Sequence, residues 1–209
     1  MKFLIVDDHV VVRSGLRQML ADGFPGAGFG EAGSAAEALQ CVLKGKWDLV
    51  LLDVSLPGRS GLDALADLRQ VSPRLPVIML SMHPESEFAV RALKAGAAGY
   101  LTKQSAAEEL LDAVRKALAG GRYITASLAE RLAENVAGAN PVLPHEGLSD
   151  REFQTLRLLA AGKAVKEIAA ELSLSAKTVS TYRTRVLEKL GLKSTVDLAR
   201  YALQHGLVE

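Results

Sequence analysis

Three aspartates stand where apolar runs end: FLIV at 3–6 leads into Asp7 and Asp8, and LVLL at 49–52 leads into Asp53. Buried strands do not ordinarily finish on carboxylates, and like charges brought together repel. Such a set is sensible chiefly as ligands to a hard cation, and all-oxygen donors suit Mg²⁺. VIML at 77–80 ends on Ser81, and GYL at 99–101 ends on Thr102 and Lys103. A carboxylate nucleophile, a divalent cation, a hydroxyl and an ammonium together describe phosphoryl transfer, which depends on positioning and charge neutralisation. Taken singly, these residues have plainer readings. Asp8 suits the N-cap of a helix beginning near Val10, Ser81 a turn and Lys103 a solvated surface. Asp53 resists this, because Pro57 and Gly58 follow it before any helix. The conjunction at four strand ends is what points to a site.

The elements that must position these residues are legible in the hydrophobic pattern. Between the short apolar runs lie helical periodicities: Leu16, Met19 and Leu20; Ala35, Ala38, Leu39 and Val42; Leu62, Leu65 and Leu68; Phe88, Val90, Leu93 and Ala97; Leu110, Leu111, Val114 and Leu118. Near-continuous apolar strands alternating with helices predict a doubly wound, five-stranded parallel α/β sheet over residues 1–120, covered on both faces. AGFGEA at 27–32 would be its second strand, weakened by glycine. With right-handed crossovers all strand C-termini open on one edge, so the carboxylates, Ser81 and Lys103 converge there.

After Gly120–Gly121 the pattern changes. Residues 121–147 read as a linker holding a short amphipathic helix at about 126–136, and GANPVLPHEG at 138–147 carries its Gly, Pro and Asn content. Residues 148–209 read as helical throughout, with Ser149 as an N-cap and Glu152 completing a capping box. Within 166–190, two helical patterns flank a turn at Ser173–Ser175. Ile168, Ala169 and Leu172 give the first helix its apolar face; Val179, Tyr182, Val186, Leu187 and Leu190 give the second its own. The outward face of the second then holds Lys177, Ser180, Thr181, Thr184 and Arg185, with Arg183 and Lys189 at its margins. Hydroxyls between cations suit a DNA major groove, where hydroxyls reach base edges and cations neutralise phosphates. A solvated face of a small helical bundle would share much of this composition.

Composition narrows the context. The chain has 209 residues and a formal charge of +1, so no global charge directs it to a partner. The charge is unevenly spread, with thirteen Lys/Arg against fourteen Asp/Glu in residues 1–120 and ten against seven from residue 148. A single cysteine, Cys41, excludes an internal disulfide and fits a reducing compartment. The N-terminal apolar run is too short for a signal peptide and none approaches a membrane span, so a cytoplasmic protein without membrane contact is expected. His9, His83, His145 and His205 lack metal-ligand spacing, and GAGFG is too short to be a nucleotide-binding fingerprint.

LIVDDH, LLDVSLPGRSGL, MLSMH and AGAAGYLTK resemble the signature segments of response-regulator receiver domains, which have a flavodoxin-like fold. The resemblance implies that Asp53 is the phosphoacceptor, phosphorylated by a sensor histidine kinase. It further implies Mg²⁺ held by Asp7, Asp8, Asp53 and the Ser55 backbone carbonyl. Lys103 would pair with one phosphoryl oxygen and Ser81 with another, while Tyr100 would be the aromatic switch residue. Gln104 departs from the pattern, since many receivers carry proline after the lysine. Residues from Leu148 to about 206 resemble the LuxR-type helix-turn-helix, a four-helix variant. That implies a recognition helix at 176–190, with Ser180, Thr181 and Thr184 reading bases. Lys177, Tyr182, Arg183, Arg185 and Lys189 would contact phosphates, and the fourth helix, 194–206, would carry dimer contacts.

The combination resembles the NarL/FixJ class of response regulators. It implies a transcription factor that dimerises on phosphorylation and binds double-stranded operator DNA, with RNA polymerase as a further candidate partner. Its only chemistry would be phosphorylation and autodephosphorylation at Asp53. Two other readings compete: a DNA-binding regulator independent of phosphorylation, and a Mg²⁺-dependent phosphohydrolase. The second is disfavoured by Ser55, because hydrolases of the haloacid dehalogenase type typically carry aspartate two residues after the nucleophile.

Overall fold

A computed structural model describes residues 1–82, 85–136 and 143–208. The chain divides into two compact units, Met1–Val136 and Ala137–Glu209.

The first unit is the expected parallel sheet. Its strands are β1 (Lys2–Val6), β2 (Gly28–Ala32), β3 (Leu49–Asp53), β4 (Val77–Ser81) and β5 (Gly99–Thr102), in the order β2-β1-β3-β4-β5. All neighbouring pairs are parallel. Every residue of β3 and β4 is buried, because helices cover both faces and a continuous apolar run is the only pattern that suits two dry sides. On one face Phe3, Ile5, Leu49, Leu51, Ile78 and Leu80 pack with Leu16 and Leu20 of α1 (Val10–Gly23) and with Leu110, Ala113 and Val114 of α5 (Ala106–Leu118). The alternate residues of these strands face α2 (Ala35–Lys44), α3 (Gly61–Val71) and α4 (Glu85–Lys94). Each such Leu, Ile or Val side chain contributes roughly 1.5–3 kcal/mol when fully buried.

Of the glycines that weaken β2 as a strand, Gly30 is explained by Trp47. A Cβ on Gly30 would stand 2.2 Å from Cη2 of the indole, so glycine lets the ring lie flat on the edge strand. The indole is fixed there by its Nε1–H, which donates to the Cys41 carbonyl at 2.9 Å. Cys41 itself is a half-buried free thiol on α2.

The helix at 126–136, placed by sequence in the linker, is α6 (Ala126–Val136) and belongs to the first unit. It packs against α4, and Leu128 is buried. The chain reaches it by running along β5, where the Tyr123 amide donates to Ala98 O at 2.7 Å. Linker residues 137–142 lie outside the described residues.

Among its described residues the second unit holds a 3₁₀ turn at Pro144–Gly147 and four helices: α7 (Asp150–Ala160), α8 (Val165–Glu171), α9 (Ala176–Leu190) and α10 (Thr195–Gln204). Its core joins Phe153, Leu156, Ile168, Val179, Val186, Leu198 and Ala202. Serine side chains cap three of the helices: Ser149 Oγ accepts from the Glu152 amide, Ser175 Oγ from Thr178 and Ser194 Oγ from Asp197. Each such cap is worth about 1 kcal/mol. The α8–α9 turn brings Ser173 to φ +53°, the left-handed region, and α9 stops at Gly191 with φ +66°. Of the predicted apolar face of α9, Val179 and Val186 are buried, while Tyr182, Leu187 and Leu190 are half-buried.

Candidate functional site

Parallel pairing of β1 with β3, and of β3 with β4 and then β5, brings four strand ends to one edge. Register does the placing: Val6 lies opposite Leu52, Asp53 opposite Leu80, and Ser81 opposite Thr102. Asp7 is completely buried and Asp53 is 1% exposed. Lys103 reaches both, its Nζ 2.6 Å from Asp7 Oδ2 and 3.2 Å from Asp53 Oδ1. The main chain sets that reach. The Lys103 amide donates to Ser81 O at 2.7 Å, and the next turn is tied by the Ser105 amide donating to Thr102 Oγ1 at 3.0 Å. Ser81 and Tyr100 are fully buried at the same end of β4 and within β5, and Ser55 is exposed two residues beyond Asp53.

Asp8 does not cap α1. The capping position is His9, whose side chain makes no cap bond, so the Asp8 carboxylate is left for other work. His9 instead joins the acidic group: its amide donates to Asp7 Oδ1 at 2.8 Å, and its Nδ1 lies 2.8 Å from Asp8 Oδ1. No spacing rule singled out this histidine, since only its adjacency to the aspartates carried the signal. Two further residues escaped sequence reasoning. Arg13 donates through Nη1 to the Asp7 carbonyl at 2.7 Å, and Gly61 packs directly on the backbone of Asp53.

The electrostatics are those of a strained carboxylate. Burial pushes the Asp53 carboxyl up to about 6; Lys103 opposes the rise and Asp7 adds to it. Burial also pulls Lys103 down, but Asp53 and Asp7 outweigh it and hold the ammonium above its ordinary range. Three carboxylates against one ammonium leave uncompensated negative charge. Asp7 Oδ2 and both Asp53 oxygens are buried without an aligned hydrogen-bond donor among the described residues. Asp7, Asp8 and His9 also present ligand atoms within 4.8 Å of one another. An oxygen-rich, net-anionic site whose buried carboxylates share a single ammonium fits a hard divalent cation such as Mg²⁺.

In the second unit Lys177, Ser180, Thr181, Arg183, Thr184 and Arg185 are all exposed on α9. Ser180, Thr181 and Thr184 each donate their hydroxyl to the carbonyl four residues earlier, at 2.9, 3.0 and 3.1 Å, while their side chains remain on the exposed face. Two of the predicted phosphate contacts have internal partners. Lys189 Nζ lies 2.6 Å from Glu152 Oε2, and Arg183 Nε donates to Thr195 Oγ1 at 3.1 Å. Lys177 and Arg185 have no ion-pair partner among the described residues.

The two halves match known families. The model of the response regulator receiver domain covers residues 3–115, and that of bacterial regulatory proteins of the luxR family covers residues 146–202. Response regulator GacA of Pseudomonas aeruginosa is 40% identical over 209 residues, spanning 100% of this chain and 98% of the relative. Response regulator UvrY of Escherichia coli K12 is 37% identical over 205 residues, spanning 98% and 94%. Among solved structures, RcsB from Salmonella enterica serovar Typhimurium, bound to promoter rprA in the presence of phosphomimetic BeF3⁻, is 27% identical. Its TM-score is 0.61, with 96% of this chain and 98% of that chain covered. A structure of two RcsB dimers on two parallel DNAs is 28% identical, with a TM-score of 0.60 and coverage of 96% and 97%. A receiver fold carrying acidic and basic residues at its strand ends, followed by a LuxR-type helical unit, makes this chain a transcription regulator belonging to the NarL/FixJ class of response regulators.

Proposed function

We propose that Asp53 accepts a phosphoryl group from the phosphohistidine of a sensor histidine kinase, and that this governs binding of α9 to operator DNA. The observation that carries the reading is Lys103 held between Asp7 and Asp53 at the open edge of the sheet. In this scheme an Asp53 oxygen attacks phosphorus in line with the donor's P–N bond, which breaks as the P–O bond forms. Lys103 then transfers its ion pair from carboxylate to a phosphoryl oxygen, and the Ser81 hydroxyl donates to another. Mg²⁺, held by Asp7, Asp8, Asp53 and the Ser55 carbonyl, would supply charge neutralisation on the transferring oxygens. Tyr100, fully buried beside β4, changes rotamer once Ser81 has moved.

In the second unit, Ser180, Thr181 and Thr184 read base edges while Lys177, Arg183 and Arg185 contact phosphates. Phosphorylation promotes a dimer matched to a two-fold operator, and RNA polymerase is engaged from that complex in the cytoplasm. Residues 1–120, with α6 packed on them, act as the receiver, 137–147 as the connection and 148–209 as the DNA-binding domain. The solved RcsB structures support this reading, since one of them holds promoter DNA in the presence of a phosphomimetic.

The test is intact mass after incubation with Mg²⁺ and a small-molecule phosphodonor. Wild type should gain one phosphoryl mass, with the gain lost on chelation and in Asp53→Asn. A gain that persists in Asp53→Asn places the acceptor elsewhere. No gain with any donor leaves a phosphorylation-independent DNA-binding regulator, and steady release of phosphate from generic phosphoesters would make the protein a hydrolase.

A further inference from the structure

At the opposite edge of the sheet, where β3, β4 and β5 begin, a cavity of about 370 Å³ lies between Pro76, Ala98 and Leu118 and is rimmed by Arg69, Arg74 and Arg122. The three arginines come from separate segments: α3, the loop before β4 and the turn after α5. None of their guanidinium groups has an ion-pair or hydrogen-bond partner among the described residues. The carboxylate in the lining, Asp48, is already engaged, accepting from the Lys2 amide at 2.6 Å.

The charge logic mirrors that of the aspartates. Like charges gathered around one concavity repel, and a counter-ion relieves the repulsion. The obvious opposition is the partial negative charge of helix C-termini, since α3, α4 and α5 all end at this edge. Several of the last carbonyls of α4 and α5, however, are taken by turn amides: Leu93 O by Gly96, Ala92 O by Ala97, Ala117 O by Gly120 and Lys116 O by Gly121. Gly96, at φ +97°, closes the turn under Arg69, where a Cβ would sit 3.1 Å from the guanidinium Nε. Arg69 is half-buried, which strengthens its pull on an anion, and Arg74 and Arg122 are exposed at the mouth.

We propose that this cavity binds a pyrophosphoryl group, free or carried by a small molecule such as a nucleoside diphosphate. Guanidinium forks match phosphoryl oxygens two at a time, and a pyrophosphoryl group offers enough oxygens and charge to answer three of them. Pro76, Ala98 and Leu118 give an apolar wall for an organic remainder.

Isothermal titration of the full chain in EDTA at low salt tests this, with inorganic pyrophosphate, ADP, inorganic phosphate and adenosine as titrants. Saturable binding of pyrophosphate or ADP is expected, tighter than inorganic phosphate and absent for adenosine. Arg74→Gln/Arg122→Gln, both at exposed positions, should weaken it at least tenfold while leaving phosphoryl uptake at Asp53 intact. Asp48→Asn should tighten it. Equal affinity for pyrophosphate and ADP identifies the pyrophosphoryl group as the whole ligand, and tighter ADP identifies a nucleotide. Absence of saturable binding, or binding undiminished in the double variant, overturns the assignment.

Discussion

Gly61 packs so closely on the end of β3 that a Cβ at this position would stand 1.9 Å from the Asp53 carbonyl oxygen and 2.8 Å from Val54 Cα. Its amide donates to Val54 O at 2.9 Å, so the first turn of α3 fixes the backbone that presents the carboxylate. Gly61→Ala is therefore expected to destabilise the protein by about 1–3 kcal/mol, because the backbone has to shift to relieve the overlap. It should also slow phosphoryl uptake. Urea denaturation and time-resolved mass would report both, and an unchanged uptake rate would separate Gly61 from the positioning of Asp53.

Burial of Asp53 has a consequence for stability. Its folded carboxyl sits near 6 against an ordinary value of 3.8, so between these values the native state binds more protons than the unfolded chain. Stability thus falls as pH rises through that window and stays lower above it. Asp53→Asn should be more stable than wild type at neutral pH by on the order of 1–3 kcal/mol, and the advantage should vanish below about pH 4. Calorimetry at both pH values decides this. An advantage of equal size at both would show that ionisation is not its cause.

The Glu152–Lys189 pair fastens α9 to the start of α7, with Glu152 only 3% exposed and also bonded to the Ser149 amide. Burial raises its carboxyl, but hydrogen bonds from Lys189 and Ser149 outweigh that and hold it below the ordinary value of 4.5. The contribution to stability is present above that value and is lost as pH falls through the depressed one. Glu152→Ala should cost about 1–2 kcal/mol at neutral pH, and its difference from wild type should shrink at pH 3. Chemical denaturation followed by circular dichroism checks it.

The same pair separates the cations of α9 by role. Lys177 and Arg185 are exposed and unpaired among the described residues, whereas Lys189 is committed to Glu152. Replacing Lys177 or Arg185 with Gln should reduce the slope of log affinity against log salt for DNA by about one each. Lys189→Gln should change the slope less and lower stability more. A slope change as large for Lys189 as for Lys177 would assign it to phosphate.

Much of this arrangement was legible in residue order. Apolar runs ending in Asp7, Asp53, Ser81 and Lys103 declared parallel strands with polar tips, because only a sheet dry on both faces needs such continuous hydrophobicity. Ser149 with Glu152 declared a helix start, and the capping box is present at the expected residues. These signals are local, carried by neighbours in the chain. What only the tertiary structure decided depends on residues far apart in sequence. Lys103 bridges Asp7 and Asp53 rather than facing solvent, and Gly61 is compelled by the Asp53 backbone. The helix at 126–136 joins the first unit through α4, and Lys189 turns to Glu152 instead of outward. Periodicity specifies which face of an element is apolar, but the partner of a charged side chain is set by where the fold brings its counter-charge.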